Sequence, residues 1–268
     1  MTSESQCKQD LCEVGRRVWL RHLVAANDGN FSCRLENGEI LCTPAGVSKG
    51  FLTPEMICKV DLSGKQFEGS YQPSTEIKIH LEVYRLRPDV HAVVHAHPPT
   101  ATGFAAAGLS LQEGVLPEVI VNLGGVPLSP YAPPGSAELP EALKPYIARH
   151  DAFLLANHGA VTLGPDLFSA YYRMETVEHS ARVLLTAHLL GGARALPTSR
   201  LEELYAVRER LGSRPPPDPP ECPRLPSPRI GEDCSAGGSA APRAPADEDL
   251  RTLVERITAE VLRQLRGN

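Results

Sequence analysis

Asp89-Val-His-Ala-Val-Val-His-Ala-His-Pro98 is the stretch on which the reading of this chain turns. Val90, Ala92, Val93 and Val94 form an apolar run of strand length, closed by Pro98 and Pro99. In an extended chain residues i and i+2 share a face, so His95 and His97 project together from the strand's end. Two imidazoles side by side can supply nitrogens to a zinc-like ion. An isolated His-x-His is more often a pair of hydrogen-bonded packing residues. Two further segments shift that balance, Ser74-Thr75-Glu76 upstream and Asn157-His158-Gly159 downstream. Together they would complete a three-histidine metal site with a carboxylate beside it, a combination that points to catalysis.

A chain of 268 residues can bury a core as one large domain or two small ones. Its formal charge of -5 argues against a nucleic-acid binder, which normally shows a basic face. The seven cysteines are odd in number, scattered and without a Cys-x-x-Cys pair, which fits free thiols in a reducing compartment better than a disulfide framework. The segment Met1 to Asp10 is polar and lacks the apolar core of a signal peptide, and no run reaches the length of a membrane span. A soluble cytoplasmic protein is expected.

Outward from the histidines, the pattern alternates between helices and strands. Leu11, Val14, Val18, Trp19 and Leu23 are spaced for one face of a helix over about Gln6 to Ala25. Asn27-Asp28-Gly29-Asn30 then turns the chain into Phe31–Leu35, and Asn37-Gly38 makes a tight hairpin to Ile40–Thr43. A second small hairpin surrounds Ser63-Gly64. Glycines and small polar residues at these strand ends are ordinary turn residues. They are also the types that let backbone N–H groups approach a phosphate. Ser74 or Thr75 is placed to cap an amphipathic helix with Ile79, Val83 and Leu86 on one side, putting Glu76 in its first turn.

Downstream of the histidine strand, Thr100–Ala107 reads as a short helix, and Gly114–Glu118 leads into Val119–Leu123 and the turn Gly124-Gly125. Pro130–Ser136 is a loop whose last residue caps a helix to about His150. Phe153–Ala156 and Ala160–Leu163 are strands flanking Asn157-His158-Gly159, Asp166 caps a long helix through Leu190, and Ser199–Leu211 forms a last one. The composition then changes. Residues 213–246 contain ten prolines and little apolar surface, as a linker does. Residues 247–268 form a helix whose Leu253, Val254, Ile257, Val261 and Leu262 lie in an apolar stripe.

Taken in order, Gly29-Asn30-Phe-Ser32, Thr43-Pro44-Ala45-Gly46, Pro73-Ser74-Thr75-Glu76, His95-Ala-His97-Pro, Pro130-Tyr131-Ala and Asn157-His158-Gly159 resemble the class II aldolases of the L-fuculose-phosphate and rhamnulose-phosphate type. The likeness covers about residues 8 to 212. It implies an α/β/α fold around a largely antiparallel sheet, and a homotetramer with active sites between subunits. Position by position, His95, His97 and His158 correspond to the ligands of one zinc ion per subunit. Glu76 corresponds to the catalytic base, able to touch the metal, and Asn30, Gly46, Ser74 and Thr75 to the phosphate cradle. The activity implied is reversible cleavage of a ketose 1-phosphate to dihydroxyacetone phosphate and an aldehyde such as lactaldehyde.

Within the superfamily, glutamate at position 76 favours an aldolase over a ribulose-phosphate 4-epimerase, which typically carries aspartate there. Where fuculose-type enzymes place a proton-donating tyrosine, this chain has Glu118. That glutamate resembles the acid/base residue of the methylthioribulose-phosphate dehydratases, and Tyr131 is the alternative source of a phenol. A solvated turn residue after Pro117 is the plainer role for Glu118. The linker with its terminal helix resembles the encapsulation peptides that deliver enzymes into bacterial microcompartments by packing against shell protein or other cargo. The superfamily also holds adducin-like binding modules, which are expected to lack the full histidine and glutamate set that is present here.

Overall fold

The computed structural model describes residues 3–112 and 114–212. The linker expected at 213–246 and the targeting helix expected at 247–268, with Leu253, Val254, Ile257, Val261 and Leu262, lie outside the described residues. Eight strands form one sheet: β1 (Asn30–Arg34), β2 (Ile40–Cys42), β3 (Cys58–Val60), β4 (Gln66–Glu68), β5 (Ala92–Ala96), β6 (Leu128–Ser129), β7 (Ala152–Leu155) and β8 (Gly159–Gly164). Their order is β4-β3-β2-β1-β5-β8-β7-β6, and among the described residues β6/β7 is the only parallel pair. The histidine strand β5 is therefore central, paired to β1 and β8, and all five of its residues are buried.

Strand alternation divides the core into two. Phe31, Cys33, Leu41, Val94, Leu154 and Ala160 pack on one face of the sheet, and Ile40, Cys42, Val93, Phe153, Val161 and Leu163 on the other. The first face is covered by α1 (Glu4–Leu20), α3 (Pro99–Ala106), α4 (Pro117–Leu123) and α6 (Leu167–Leu189). The second is covered by α2 (Ile77–Leu86) and α5 (Glu138–Arg149), and α7 (Thr198–Arg210) packs on α4. This is the expected mixed α/β architecture, helices on both sides of a largely antiparallel sheet.

Several boundaries differ from expectation for identifiable reasons. α1 begins earlier because Ser3 Oγ accepts from Gln6 N, and it stops at Leu20 because His22 turns to φ 57°. Leu23 remains buried beyond the helix, but Trp19 is 40 % exposed and stands against Phe51, ring centroids 5.4 Å apart, so it does not belong to the buried stripe. Val119–Leu123 is helical, started by Pro117 and ended by Gly124 in the left-handed region. Glu76 is not in the first turn of α2; it is the residue that precedes the helix, and Ser74 Oγ accepts from its N–H. The five described cysteines are all free thiols, and no described helix is long and apolar enough to cross a membrane.

Candidate active site

His95 is buried near the end of β5, and its Nδ1–H donates to Ala160 O on β8 at 3.0 Å. A carbonyl can only accept, so this bond fixes the tautomer and leaves Nε2 with a lone pair on the side of His97 and Glu76. His97 follows the same face two residues on, bringing its Nε2 to 3.1 Å from that of His95. His158 arrives from the β7–β8 turn, where Asn157 takes φ 56°. Coordinating nitrogens of the three rings lie within 4.8 Å of one another, and the ring centroids are 4.8–4.9 Å apart. Burial first, then the neighbouring His95 and His158, push His97 down to about 4, so it is neutral near pH 7 and free to ligate.

Glu76 completes the cluster from the start of α2. Its Oε1 is 3.1 Å from His158 Nε2 and its Oε2 3.4 Å from His95 Nε2. Burial opposes its ionisation, but the two histidines outweigh that cost and hold the carboxyl well below the usual range. Glu76 Oε1 and His158 Nδ1 are both buried without a hydrogen-bond partner. Converging imidazole lone pairs beside an under-satisfied carboxylate oxygen fit a divalent metal ion, which would occupy the position these donors all face. Behind the histidines, Asp28 Oδ2 stands 3.5 Å from His97 Nδ1, placed to orient that ring.

The proposed phosphate residues converge on the same end of the sheet. An isolated bridge joins Pro44 to Pro73, and Ala45 N–H donates to Gln72 O at 2.8 Å, so the segments carrying Gly46 and Ser74-Thr75 run side by side. Gly46 has φ +70° and open space where a Cβ would stand. Asn30 differs from the other three. Its carboxamide is turned inward, donating from Nδ2 to Glu76 Oε2 at 2.8 Å and accepting at Oδ1 from His80 Nε2 at 2.7 Å.

Glu118 and Tyr131 do not join this constellation within the chain. Glu118 is exposed in the first turn of α4, and Tyr131 is 60 % exposed on the loop whose Gly135 accepts from Lys78 Nζ. Conversely, the structure ties to the site two groups to which the sequence assigned no role. His80, Ser32 and Tyr84 are buried behind Asn30: Ser32 Oγ lies 2.7 Å from both His80 Nδ1 and the Tyr84 hydroxyl. Glu178 of α6 is buried, and its carboxylate accepts from Thr100 N and Ala101 N at the start of α3, just after His97-Pro98. Polar residues at i and i+4 on an otherwise apolar helix face were the available signal for His80 and Tyr84.

Residues 9–185 match the family described as Class II Aldolase and Adducin N-terminal domain. A 3-oxo-tetronate 4-phosphate decarboxylase of Pectobacterium atrosepticum is 36 % identical over 188 residues, 69 % of this chain and 86 % of that protein. An L-fuculose phosphate aldolase of Methanococcus maripaludis is 36 % identical over 174 residues, 65 % of this chain and 93 % of that protein. Among solved structures, YgbL of Klebsiella pneumoniae, described as a putative aldolase/epimerase/decarboxylase, superposes with a TM-score of 0.71 at 32 % identity, covering 76 % of this chain and all of that one. An L-fuculose 1-phosphate aldolase gives 0.72 at 28 % identity, covering 79 % of this chain and 98 % of the other.

Proposed function

Because the chain belongs to the class II aldolase family and is a lyase of aldolase type, we propose that it cleaves a ketose 1-phosphate resembling L-fuculose 1-phosphate to dihydroxyacetone phosphate and an aldehyde such as lactaldehyde. The observation that carries this reading is the Glu76 carboxylate set against two of three converging histidines, with Oε1 free of any hydrogen bond. Held by His95, His97 and His158, a zinc ion would act as a Lewis acid, polarising the substrate carbonyl and stabilising enediolate charge. The rest falls to the chain's own residues. Gly46, Ser74 and Thr75 would hold the phosphate and so fix the three-carbon unit over Glu76. When the carbon–carbon bond breaks, its electron pair stays on that unit as an enediolate, and Glu76, after taking up a proton from water, passes it to the enediolate carbon and returns to the carboxylate. The proton of the departing alcohol must go elsewhere, to the Glu118 carboxylate or, by way of the Tyr131 hydroxyl, to water.

A second reading is favoured by one observation. Glu118 and Tyr131 are exposed and make no bond to the histidine and Glu76 set. Loss of carbon dioxide from a 3-oxo acid 4-phosphate needs no acceptor for an alcohol proton, yet leaves the same three-carbon enediolate. The decarboxylase relative makes that substrate class the natural alternative. The test begins with the shared intermediate. In heavy water the enzyme should exchange one hydroxymethyl proton of dihydroxyacetone phosphate stereospecifically, and lose this with a chelator or in Glu76→Gln. Absence of exchange from zinc-loaded protein would sink both readings. Aldehyde release from L-fuculose 1-phosphate, or carbon dioxide release from 3-oxo-tetronate 4-phosphate, then separates them.

Assembly as a homotetramer and packaging in a microcompartment lumen belong to the same proposal. The exposed Trp19 and Phe51 pair offers apolar surface to a neighbouring subunit. The family match ends at residue 185, well before the terminal stripe Leu253, Val254, Ile257, Val261 and Leu262. Removing residues 213–268 should leave activity intact and abolish co-localisation with a shell; lost activity with unchanged localisation would reject the targeting role.

A further inference from the structure

Where β1 faces α2, four polar side chains are sealed in an otherwise apolar layer. Asn30 and Ser32 alternate onto the same face of the strand, and His80 and Tyr84 stand one helical turn apart on the helix. All four are buried, His80 and Ser32 completely. They form an unbroken chain ending at Glu76: the Tyr84 hydroxyl to Ser32 Oγ at 2.7 Å, Ser32 Oγ to His80 Nδ1 at 2.7 Å, His80 Nε2 to Asn30 Oδ1 at 2.7 Å, and Asn30 Nδ2 to Glu76 Oε2 at 2.8 Å.

The direction of every bond in this chain is determined by its ends. A neutral imidazole has one donor and one acceptor, and a carboxamide has one face of each kind. If the chain ran the other way, Asn30 would present its oxygen to Glu76 Oε2, setting two acceptors against each other out of reach of water. With Glu76 ionised, only one polarity satisfies all the atoms. Tyr84 donates to Ser32, Ser32 donates to His80 Nδ1, His80 donates from Nε2, and Asn30 is left pointing its N–H at the carboxylate.

We propose that His80 is a positioning residue for Glu76, acting through Asn30 to tie down Oε2 and leave Oε1, the oxygen beside His158, free of any hydrogen bond for proton transfer. The assignment rests on the reading of Glu76 as the proton-transfer group. It accounts for two facts that a merely structural polar cluster leaves unconnected. Asn30 spends its whole carboxamide inside the protein, on His80 and Glu76. The two Glu76 oxygens also differ, Oε2 hydrogen-bonded and Oε1 buried without a hydrogen bond, 3.1 Å from His158 Nε2. A burial-lowered basicity, to about 3, keeps His80 neutral and so preserves its single donor and single acceptor throughout the working range.

The test uses the full chain loaded with cobalt(II), whose visible absorption reports the donors around the metal without any substrate, together with proton exchange into dihydroxyacetone phosphate. His80→Phe should still bind one cobalt ion per chain but with an altered spectrum. Its kcat for exchange should fall by about tenfold or more while KM moves less than about threefold. His80→Gln, which retains a donor and an acceptor, should recover most of both. Wild-type spectrum and wild-type kcat in a folded His80→Phe would overturn the proposal. If that variant does not fold, Ser32→Ala decides: an altered cobalt spectrum supports the relay, and an unaltered one with unaltered kcat overturns it. If wild-type enzyme shows no exchange, the proposed function fails, and the cobalt spectra alone decide the positioning role.

Discussion

Gly159 lies so close to the histidine strand that a Cβ there would stand 2.5 Å from the carbonyl oxygen of Ala96 and 2.6 Å from Cδ2 of His97. The neighbour that would have to give way is backbone on one side and a metal-ligand candidate on the other. Gly159→Ala should therefore push β8 from β5 where His158 and His97 meet, without removing a candidate ligand. The expected result is a roughly tenfold or greater loss in zinc affinity, with destabilisation of about 1–3 kcal/mol from overpacking. Competition titration against a chelator and a urea melt measure the two. Wild-type affinity would mean that the Asn-His-Gly glycine serves only the turn.

Glu178 acts at longer range. Its carboxylate takes Thr100 N and Ala101 N, the first free donors of α3, and pairs with Arg182 at 2.7 Å. Because α3 begins directly after His97-Pro98, this contact anchors the exit of the histidine strand. Glu178→Ala strands the buried N–H of Ala101 and the half-buried N–H of Thr100, and should cost on the order of 2–4 kcal/mol, read as a lowered urea midpoint with an unchanged slope. Zinc content should fall far less than in a His97 variant. Equal loss in both would make Glu178 part of the metal site itself.

Acid should destabilise the metal-free protein through groups buried in their neutral form. Mainly because of burial, His80 is pushed down to about 3 and His150 to about 4, against an ordinary value of 6.5. Between those limits the unfolded chain binds more protons than the folded one, so stability rises with pH. The contribution is complete above about pH 6.5 and is lost progressively as pH falls toward the folded values. With chelator present, the urea midpoint should fall steadily from pH 7 to pH 4.5, by an amount worth a few kcal/mol. His80→Gln should flatten that slope. An equal slope in the variant would remove His80 as its source.

The metal-ligand candidates were legible in the sequence because strand alternation is a local rule: His95 and His97 had to share a face, and the apolar run before them had to be buried. Glu76 and His158 were found through motif order, which says nothing of distance; that Glu76 precedes α2 and does not sit in its first turn depends on φ and ψ that no residue type dictates. Ser32 was visible as part of a motif, but its partners His80 and Tyr84 lie some fifty residues on, and only the packing of α2 over β1 brings them together. Trp19 followed the helical period and still faces outward, because period assigns a stripe and tertiary contact decides how wide the buried part of it is.

The last expectation concerns Asp151, a carboxylate 7 % exposed among three guanidiniums: Arg87 at 2.8 Å, Arg173 at 3.3 Å and Arg208 at 3.6 Å. These arginines come from the end of α2, from α6 and from α7, so one negative charge ties the layers on both sides of the sheet to the last described helix. Arg208 also donates to Val121 O of α4 at 2.9 Å. Asp151→Asn keeps the shape and removes the charge, so Arg173 and Arg208 lose the carboxylate they share, while Arg87 keeps Asp89 at 2.7 Å. Breaking such a buried set from one side costs about 3–5 kcal/mol, and the loss should appear as a lower melting temperature with α7 the first segment to exchange its amide hydrogens. Because Asp151 has no contact with the histidines or Glu76, zinc affinity of the folded fraction should stay at the wild-type value; a drop in affinity matching the drop in stability would show that the ion cluster and the metal site unfold as one unit.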